Sequence, residues 1–501
     1  MRAEVRAPSL RASRPPGIPP ARRLWSAAMT TIGESIRTSP AVTQAIDAIV
    51  AEVDAKTAAI TEVRGPQSEL ETPYEALVKE AGETRGWPLL YPCLGSGAGR
   101  GPLVELADGS VKWDLVAGIG VHFFGHSHPE IIRAQVEAGL EDTTKHGNLQ
   151  AGTAPYAFSK KLLELAGRKS GLSRAFLTTS GAMANECALK VCLQKRWPAR
   201  RVLAFKHCFM GRSLTMTSIG DSAAARHHIP VTMEVDYMPF WNARGAEKLG
   251  GKTKFIDWSL WQLDQYVRRY PNDHACFVME LVQGEGGFNV PPRDWLVEIM
   301  KACKGYGIPV WDDEIQAFGR TEQMFAFEHF DVGEYVDVFC VGKMTQACAA
   351  AWTEEMAPQR GLLSGTFLSG TADFLVGQRI LEMLEEGDFY GEEGLFAQHQ
   401  KAFREHAQAL MTKHPEWFPE VEYAPELVGG VGGMMRMTPF GGVKEKVAAA
   451  AKAIYREGAI VFWCGHGPVH LRLLPPLPTM KLEDWPRIFE VLERGFAAAA
   501  G

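Results

Sequence analysis

The sequence predicts an α/β protein with a mostly parallel central sheet, helices on both faces of that sheet, and a smaller α+β domain. From about residue 113 to 345, β-type runs such as RVLAFKH, CFVMELV and VDVFCVG alternate with amphipathic helical runs such as RDWLVEIMKACKGYG. This alternation is typical of parallel strands joined by covering helices. Beyond GLLSGTFLSGT the chain becomes helix-rich and then offers GGVGGMMRMTPF and GPVHLRLLPPL as strand-like pieces, which predict the smaller domain.

The composition favours a soluble globular protein. The chain has 501 residues, 46% of them hydrophobic and 22% charged, with a net charge of −6, so a large core and two or more domains are expected. The charge gives no reason to expect nucleic acid or an anionic membrane as a partner, and no uncharged apolar stretch is long enough to span a bilayer. Nine scattered cysteines suit reduced thiols in the cytoplasm, so neither a disulfide nor a structural zinc is expected.

The chain divides into four predicted segments. Residues 1–28 hold six arginines, one acid and several prolines, and we interpret them as a disordered tail. A transit peptide and a true start at Met29 are the alternatives, although the prolines argue against the amphipathic helix of a transit peptide. Residues 29–112 are expected to contribute to the small domain and to contacts with any second subunit. Residues 113–369 are expected to form the large, ligand-binding domain and residues 370–501 the small domain.

The ligand site is predicted at the carboxyl ends of the parallel strands, where such sheets bind their ligands. Ser180, Glu280, Asp313 and Lys343 each follow a predicted strand. Lys343 directly follows VDVFCVG. A buried ammonium is costly unless a partner compensates its charge, so one interpretation is that the side chain extends to the surface. The alternative is a reactive lysine, since a desolvated amine loses its proton more readily and attacks carbonyl groups.

Three acids in succession, Asp312, Asp313 and Glu314, follow the strand run IPVW. A solvated loop, a helix N-terminus and a metal site are all compatible with such acids taken alone. A carboxylate and an imine-forming lysine at one sheet edge are, however, the pair that pyridoxal phosphate requires. The carboxylate keeps the pyridine nitrogen protonated while the lysine holds the aldehyde.

A phosphate site is predicted where Ser180, Gly181 and Ala182 link a strand to the helical run AMANECALK. Small residues allow close approach of the backbone, and free N–H groups at a helix start bind anions. Ser180 is equally compatible with an ordinary N-cap. Phe209, in HCFMGRS, is compatible with core packing or with stacking on a flat cofactor ring.

Two arginines are candidate carboxylate clamps, because guanidinium pairs with carboxylate in bidentate fashion. They are Arg212, near a glycine turn, and Arg472, in the apolar run VHLRLLPPL. A buried Arg472 needs a partner, and Glu285 in LVQGEGGF could provide it.

The histidines of GVHFFGHSHPE superficially suggest metal spacing. No flanking acid or cysteine in the sequence completes a ligand set for His122, His126 and His128. We therefore favour a glycine-bordered turn before a helix and predict no metal.

Eight ordered blocks between about residues 95 and 480 resemble the class III aminotransferases, the ornithine, 4-aminobutyrate and lysine 6-aminotransferase group of fold type I pyridoxal-phosphate enzymes. They are GIGVHFFGHSHPE, TSGAMANECALK, FMGRS, MELVQGEGG, DDEIQAFGRT, VGK, GTF and LRLLPPL. The resemblance implies that Lys343 binds the cofactor aldehyde, that Asp313 rather than Asp312 holds the pyridine nitrogen, that Gln316 approaches the ring hydroxyl, and that Phe209 stacks on the ring.

The resemblance also implies how the phosphate and the substrates are bound. Gly181 and Ala182 would bind the phosphate through their backbones, and Thr366 would reach the phosphate of the other subunit, so a homodimer with shared active sites is expected. Arg212 and Arg472 would bind substrate carboxylates. Glu285 would be the glutamate that can mask Arg472.

We therefore predict a pyridoxal-phosphate-dependent transaminase that moves an amino group from an amine or ω-amino acid donor to 2-oxoglutarate or pyruvate by a ping-pong mechanism. Because a fold does not fix a reaction, an aminomutase, racemase or decarboxylase on the same fold is the nearest alternative. A non-catalytic binding protein is a more distant one.

Overall fold

The computed structural model of the protein describes residues 31–500. The predicted basic tail, residues 1–28, and the candidate start Met29 lie outside the described residues. Three helices come first in the described chain, and three antiparallel strands of a small sheet follow. The elements of this first part are α1 (Ile32–Arg37), α2 (Pro40–Thr57), α3 (Ser68–Arg85), β1 (Gly95–Arg100), β2 (Leu103–Leu106), β3 (Val111–Asp114), α4 (Ala117–Gly120), α5 (Pro129–Ala138) and β4 (Lys145–His146).

The middle of the chain alternates strands and helices as the sequence predicts. Its elements are α6 (Ala154–Ala166), β5 (Leu172–Thr178), α7 (Gly181–Lys195), β6 (Arg201–Phe205), α8 (Leu214–Ile219), β7 (Glu234–Met238), α9 (Ala243–Leu249), α10 (Lys252–Arg269), β8 (His274–Met279), α11 (Arg293–Gly305), β9 (Val310–Asp313), α12 (Ala326–His329), β10 (Val338–Val341), β11 (Cys348–Thr353) and β12 (Ser369–Gly370).

Seven of these strands form the central sheet, in the order β5-β11-β10-β9-β8-β6-β7. The pairs from β10 to β7 are all parallel. Only β11 runs the other way, because it pairs antiparallel with both β10 and β5. The prediction of a mostly parallel sheet is therefore confirmed, and the strands that share a direction end at one edge.

Both faces of the central sheet are covered, because successive side chains of each strand point to opposite faces. Leu203 and Phe205 of β6 face one side, where the Phe205 ring lies 5.1 Å from that of Trp295 on α11. Val202 and Ala204 face the other side and belong to one core cluster with the buried residues of α7. Strands buried on both faces need apolar residues at every position, which explains runs such as RVLAF.

The C-terminal part combines helices with a second, antiparallel sheet of order β13-β14-β17-β16. The strand β15 does not join that sheet; it pairs in parallel with β3, so the two ends of the chain share a sheet. The elements here are α13 (Thr371–Glu386), α14 (Leu395–Lys413), β13 (Val428–Val431), β14 (Met434–Met437), α15 (Lys444–Glu457), β15 (Ala459–Ile460), β16 (Phe462–Cys464), β17 (His470–Leu473) and α16 (Asp484–Ala500).

The cysteines and the helices of the described chain also bear on the sequence predictions. All nine cysteines lie in the described part of the chain, and each is a free thiol. Between residues 31 and 500, no helix is both long enough and apolar enough to cross a bilayer.

Candidate active site

The carboxyl ends of the parallel strands surround one cavity of about 370 Å³. The lining residues come from the segments that follow β5, β6, β8, β9 and β10 and from the start of α7. They are Ser180, Gly181, Ala182, Asn185, Phe209, Met210, Gly211, Arg212, Glu280, Asp313, Ile315, Gln316 and Lys343. Eight of the eleven residues predicted for the site therefore meet here.

Lys343 lies two residues beyond β10, at the start of a 3-10 turn, and is half-buried. Its φ of 53° lies in the left-handed region, which is uncommon for a residue with a side chain and typical of functional positions. Burial lowers the pKa of its ammonium, and although Asp313 and Glu285 oppose that effect, the net pKa is lowered. The neutral amine is therefore more accessible at this lysine than at an exposed one.

Asp313 is the last residue of β9 and is only 5% exposed. Its Oδ2 accepts a hydrogen bond of 2.7 Å from Asn185 Nδ2, and its Oδ1 accepts one of 2.9 Å from the backbone N–H of Ile315. Burial raises the pKa of Asp313, while these two donors and Lys343 act in the opposite direction without cancelling it. Asn185 also donates to the Met210 carbonyl at 2.8 Å, so it ties β9, α7 and the turn after β6 together.

The neighbouring acids do not face this cavity. Asp312 is fully buried on the opposite face of β9 from Asp313 and, among the described residues, neither of its oxygens has a hydrogen-bond donor. Burial, and then the adjacent carboxyl of Glu314, raise the pKa of Asp312 well above its usual value. Burial also raises the pKa of Glu314 to about 7, and its Oε1 accepts from the Phe327 N–H at 2.9 Å. Of the three consecutive acids, only Asp313 lines the cavity.

The N-terminus of α7 also lines the cavity and has the features of an anion-binding helix start. The Ser180 hydroxyl caps the helix by accepting from the Met183 N–H at 3.3 Å, and the first turn holds no acid. The free N–H groups and the helix dipole therefore face the cavity without a competing carboxylate. A Cβ added to Gly181 would lie 2.7 Å from Ile315 Cδ1, and one added to Gly211 would lie 2.7 Å from the Cβ of Ala182, so these glycines allow Ile315 and Ala182 to pack closely against the backbone that lines the cavity.

Glu280 joins two loops of the cavity. Its Oε1 accepts from the Phe209 N–H and its Oε2 from the Gly284 N–H, both at 2.9 Å. The first contact fixes the aromatic residue of the loop after β6, and the second fixes the loop that carries Glu285. Burial, and then the charge of Asp313, raise the pKa of Glu280 to about 8 despite these two donors.

Arg472, on β17, brings the second sheet into contact with the cavity. It is fully buried, and its Nη1 donates to Glu285 Oε1 at 2.6 Å and to Gln316 Oε1 at 3.3 Å. Gln316 Nε2 in turn donates to the same Glu285 oxygen at 3.2 Å. Burial alone would raise the pKa of Glu285, but Arg472 and Gln316 outweigh it and the pKa is lowered. The predicted pairing of Glu285 with Arg472 is therefore present.

Two predicted site residues lie at the edge of this arrangement or beyond it. Arg212 is exposed at the rim of the cavity, with its Cζ 5.6 Å from the centre of the Phe209 ring. Thr366 is exposed in the loop before β12, where its backbone packs against Gly147. Thr366 does not line the cavity of its own chain.

The three histidines of the GVHFFGHSHPE segment form no metal centre with their neighbours. The described part of the chain contains no group of three or more His, Cys, Asp or Glu residues that could hold a metal. His126 Nε2 lies 2.9 Å from Asp114 Oδ2, a contact with an acid that the sequence analysis did not foresee. His128 instead occupies the N-cap position of α5.

Sequence reasoning placed Glu280 at the ligand edge of the sheet, because it follows β8 just as Lys343 follows β10, but gave it no role. Four further lining residues were not predicted, namely Asn185, Met210, Gly211 and Ile315. Asn185 lies four residues after Gly181 and hence on the same face of α7, a signal available once that helix start is placed at the ligand.

Comparisons with known proteins identify the family of the chain. A sequence profile of the family described as Aminotransferase class-III matches residues 94–495. The diaminobutyrate–2-oxoglutarate transaminase of Wolinella succinogenes is 27% identical over 410 residues, which cover 78% of this chain and 88% of that protein. The probable 4-aminobutyrate aminotransferase of Bacillus subtilis is 28% identical over 404 residues, which cover 76% of this chain and 87% of that protein.

The fold agrees with this identification. A solved Bacillus anthracis aminotransferase matches the structure with a TM-score of 0.73 at 18% sequence identity, over 87% of this chain and 100% of that chain. At that identity the likeness concerns the fold, and it confirms the predicted fold type I architecture. Because the profile spans most of the sequence, the chain belongs to the class III aminotransferases and is a pyridoxal-phosphate-dependent transaminase.

Proposed function

We propose that this transaminase takes an amino group from an amine or ω-amino acid and passes it to 2-oxoglutarate or pyruvate, in two alternating half-reactions at the cavity around Lys343. The observation that carries the proposal is the meeting of Lys343, Asp313 and the N-terminus of α7 in one cavity. The name of the Wolinella relative, which includes 2-oxoglutarate, supports that keto acid as an acceptor.

The residues that line the cavity fit pyridoxal phosphate. The start of α7 offers N–H groups to a phosphate with no acid in the first turn, and Ser180, Gly181 and Ala182 would hold it there. Asp313 offers a buried carboxylate for a ring nitrogen, and Lys343 offers an amine for an aldehyde.

Asp313 and Lys343 would carry the proton chemistry. Pyridoxal phosphate, when bound, supplies an electron sink for the charge left on the donor carbon. Asp313, oriented by Asn185 and the Ile315 N–H, keeps a proton at the ring nitrogen. Lys343 would act as the base that removes the proton from the donor carbon, and its lowered pKa suits that role.

Phe209, Gln316 and Glu280 would position the ring. Phe209 is half-buried beside the cavity and is held at its backbone by Glu280, so its ring can stack on the cofactor. Gln316, held between Glu285 and Arg472, lies where it can approach a ring hydroxyl. Glu280 acts through Phe209 and is therefore a positioning residue.

Glu285 and Arg472 would allow one site to accept two kinds of substrate. With a donor that lacks an α-carboxylate, Glu285 neutralises the buried guanidinium, as in the 2.6 Å pair described above. A keto acid can replace Glu285 with its own carboxylate in a bidentate pair. Arg212, exposed at the rim, would bind the distal carboxylate of 2-oxoglutarate.

We extend the proposal to a cytoplasmic homodimer in which Thr366 serves the partner subunit. Thr366 is exposed and lies outside its own cavity, as expected of a residue that acts on another chain. Phe367, next to it, is 46% exposed. Leu149 is fully exposed, and it follows Asn148, whose backbone N–H donates to the Gly365 carbonyl of the same loop. Apolar side chains at such exposure are consistent with burial against a second copy.

The reaction is tested with the purified enzyme and a panel of amines and ω-amino acids, each with 2-oxoglutarate or pyruvate. We expect glutamate or alanine to form in proportion to the donor consumed. Asp313→Asn should lower turnover with the best donor by about 100-fold or more, because an amide cannot keep the ring nitrogen protonated.

Asp312→Asn is the matched control for this test, since it makes the same change one position away on the opposite face of β9. We expect its turnover to stay within a few-fold of the parent enzyme. Greater damage from Asp312→Asn than from Asp313→Asn, or donor conversion that needs no keto acid, would contradict the proposal.

The roles of Glu285 and Arg472 are separated by measuring each half-reaction alone. Arg472→Ala should raise the 2-oxoglutarate concentration required by about 10-fold or more, through loss of a charged hydrogen-bond pair, and should affect a donor without an α-carboxylate far less. Glu285→Ala should chiefly impair that donor. Equal damage to both half-reactions from either substitution would mean that the pair is a permanent structural bridge.

Glu280 predicts a pH dependence of stability. Its pKa of about 8 lies above the ordinary value of 4.5, so between these values the folded enzyme holds a proton that the unfolded chain has released. Stability should therefore fall as the pH rises through this range, by up to about 1.4 kcal/mol per pH unit. Glu280→Gln cannot ionise, and its thermal midpoint, followed from about pH 5 to 8, should decline less steeply than that of the parent. Parallel curves would show that Glu280 does not titrate there.

A further inference from the structure

A second cavity, of about 420 Å³, lies outside the active site. It is bounded by the start of α9, the end of the loop after β8, and the strands β13 and β14 of the second sheet. It shares no lining residue with the cavity at Lys343. Its volume falls within the roughly 300–1,000 Å³ that ligand pockets occupy, and Trp241, Phe288 and Tyr423 give it aromatic walls.

Arg436 is the buried cation of this cavity and is only 8% exposed. In the strand register, Arg436 lies directly opposite Gly429 on β13 and Arg472 on β17. Directly opposed residues of antiparallel strands lie on the same face of the sheet. A Cβ added to Gly429 would lie 2.7 Å from Arg436 Cζ. The absence of a side chain at position 429 therefore leaves room for this guanidinium.

The charge of Arg436 has no carboxylate partner among residues 31–500. Its Nη1 donates to three acceptors, the Glu426 carbonyl at 3.2 Å, Thr438 Oγ1 at 3.4 Å and His470 Nδ1 at 3.4 Å. Burial lowers the pKa of His470 well below its usual value, so all three acceptors are uncharged. Arg436 Nε is buried and has no acceptor within the described residues.

The other charged groups of the cavity lie closer to water. Arg404 and Glu426 are exposed, and Glu322 is half-buried. Burial lowers the pKa of His329, so that this lining side chain is neutral near pH 7. Exposed charges are screened by solvent, whereas Arg436 is not, so a single positive charge is left uncompensated in the buried part of the cavity.

We infer that this cavity binds a small-molecule carboxylate, with the carboxylate on Arg436 and an apolar or aromatic body against Trp241, Phe288 and Tyr423. A carboxylate would supply the charge and the acceptors that the buried guanidinium lacks. The inference does not depend on the role of Lys343.

Phe288 lies between the lining of this cavity and Arg472. This residue is fully buried, and its ring centre lies 5.9 Å from Arg472 Cζ. It follows Glu285 by three residues in the same loop. A ligand of Arg436 would therefore contact the far side of the loop that carries Glu285, without entering the cavity at Lys343.

The site is tested first by crystallography of the full-length holoenzyme soaked in 4-bromobenzoate, whose bromine can be located by its anomalous signal. We expect a bromine position between Trp241, Phe288 and Tyr423, with the carboxylate on Arg436. Bromine found only in the cavity at Lys343, or nowhere in the protein, would overturn the inference.

A calorimetric titration of the holoenzyme with 4-bromobenzoate tests the same site in solution. Arg436→Met should weaken binding by about 10-fold or more, the scale of a lost charged hydrogen bond. Arg404→Met, which removes an exposed arginine of the same cavity, should change it by about two-fold at most. Unaltered affinity in Arg436→Met, or equal losses in both variants, would overturn the inference.

Gly429→Ala provides a second variant in case Arg436→Met does not fold. It keeps the charge of Arg436 but forces the guanidinium to move, because of the 2.7 Å contact described above. We expect weaker binding of 4-bromobenzoate with the cofactor retained. Parent affinity in this variant would contradict the carboxylate position assigned at Arg436.

Discussion

The site depends on the partial removal of the Lys343 ammonium from water at a sheet edge where two acids, Glu280 and Asp313, are buried. Strands of one direction must end at the same edge, so β8, β9 and β10 bring Glu280, Asp313 and Lys343 together. Burial disfavours the charged form of each group, lowering the pKa of the lysine and raising those of the two acids. The convergence of the strand ends therefore creates the ligand site, and the burial there also makes the neutral, reactive form of the Lys343 amine more accessible.

The surrounding protein limits the cost of this burial by pairing or by proton uptake. Arg472 and Glu285 neutralise each other directly, and Asn185 and a backbone N–H stabilise Asp313. On the other face of β9, Asp312 has no donor among the described residues, and burial and the adjacent Glu314 raise its pKa well above its usual value. Burial, and then Asp313, also raise the pKa of Glu280 to about 8, which favours proton uptake there. Arg436 and Arg320 differ from Arg472, since they are buried arginines whose acceptors are all uncharged.

Much of the fold and of the cofactor site could be predicted because it follows from local sequence and one topological rule. Alternating strand and helix runs predict parallel strands, and that rule places Asp313 and Lys343 at one edge. The pairing of Glu285 with Arg472 followed from the need of a buried arginine for a partner. Arg436 could not be predicted, because its burial depends on the register of β13, β14 and β17, which no local pattern fixes.

The account rests on covalent attachment of the cofactor to Lys343, and the most direct test is chemical trapping. The holoenzyme is reduced with borohydride, digested, and analysed by mass spectrometry for the lysine that carries the pyridoxyl phosphate group. We predict a single modified peptide that contains Lys343, with no label on Lys206, the exposed lysine that follows β6. A label on another lysine, or none in an enzyme that binds the cofactor and turns over, would contradict the account.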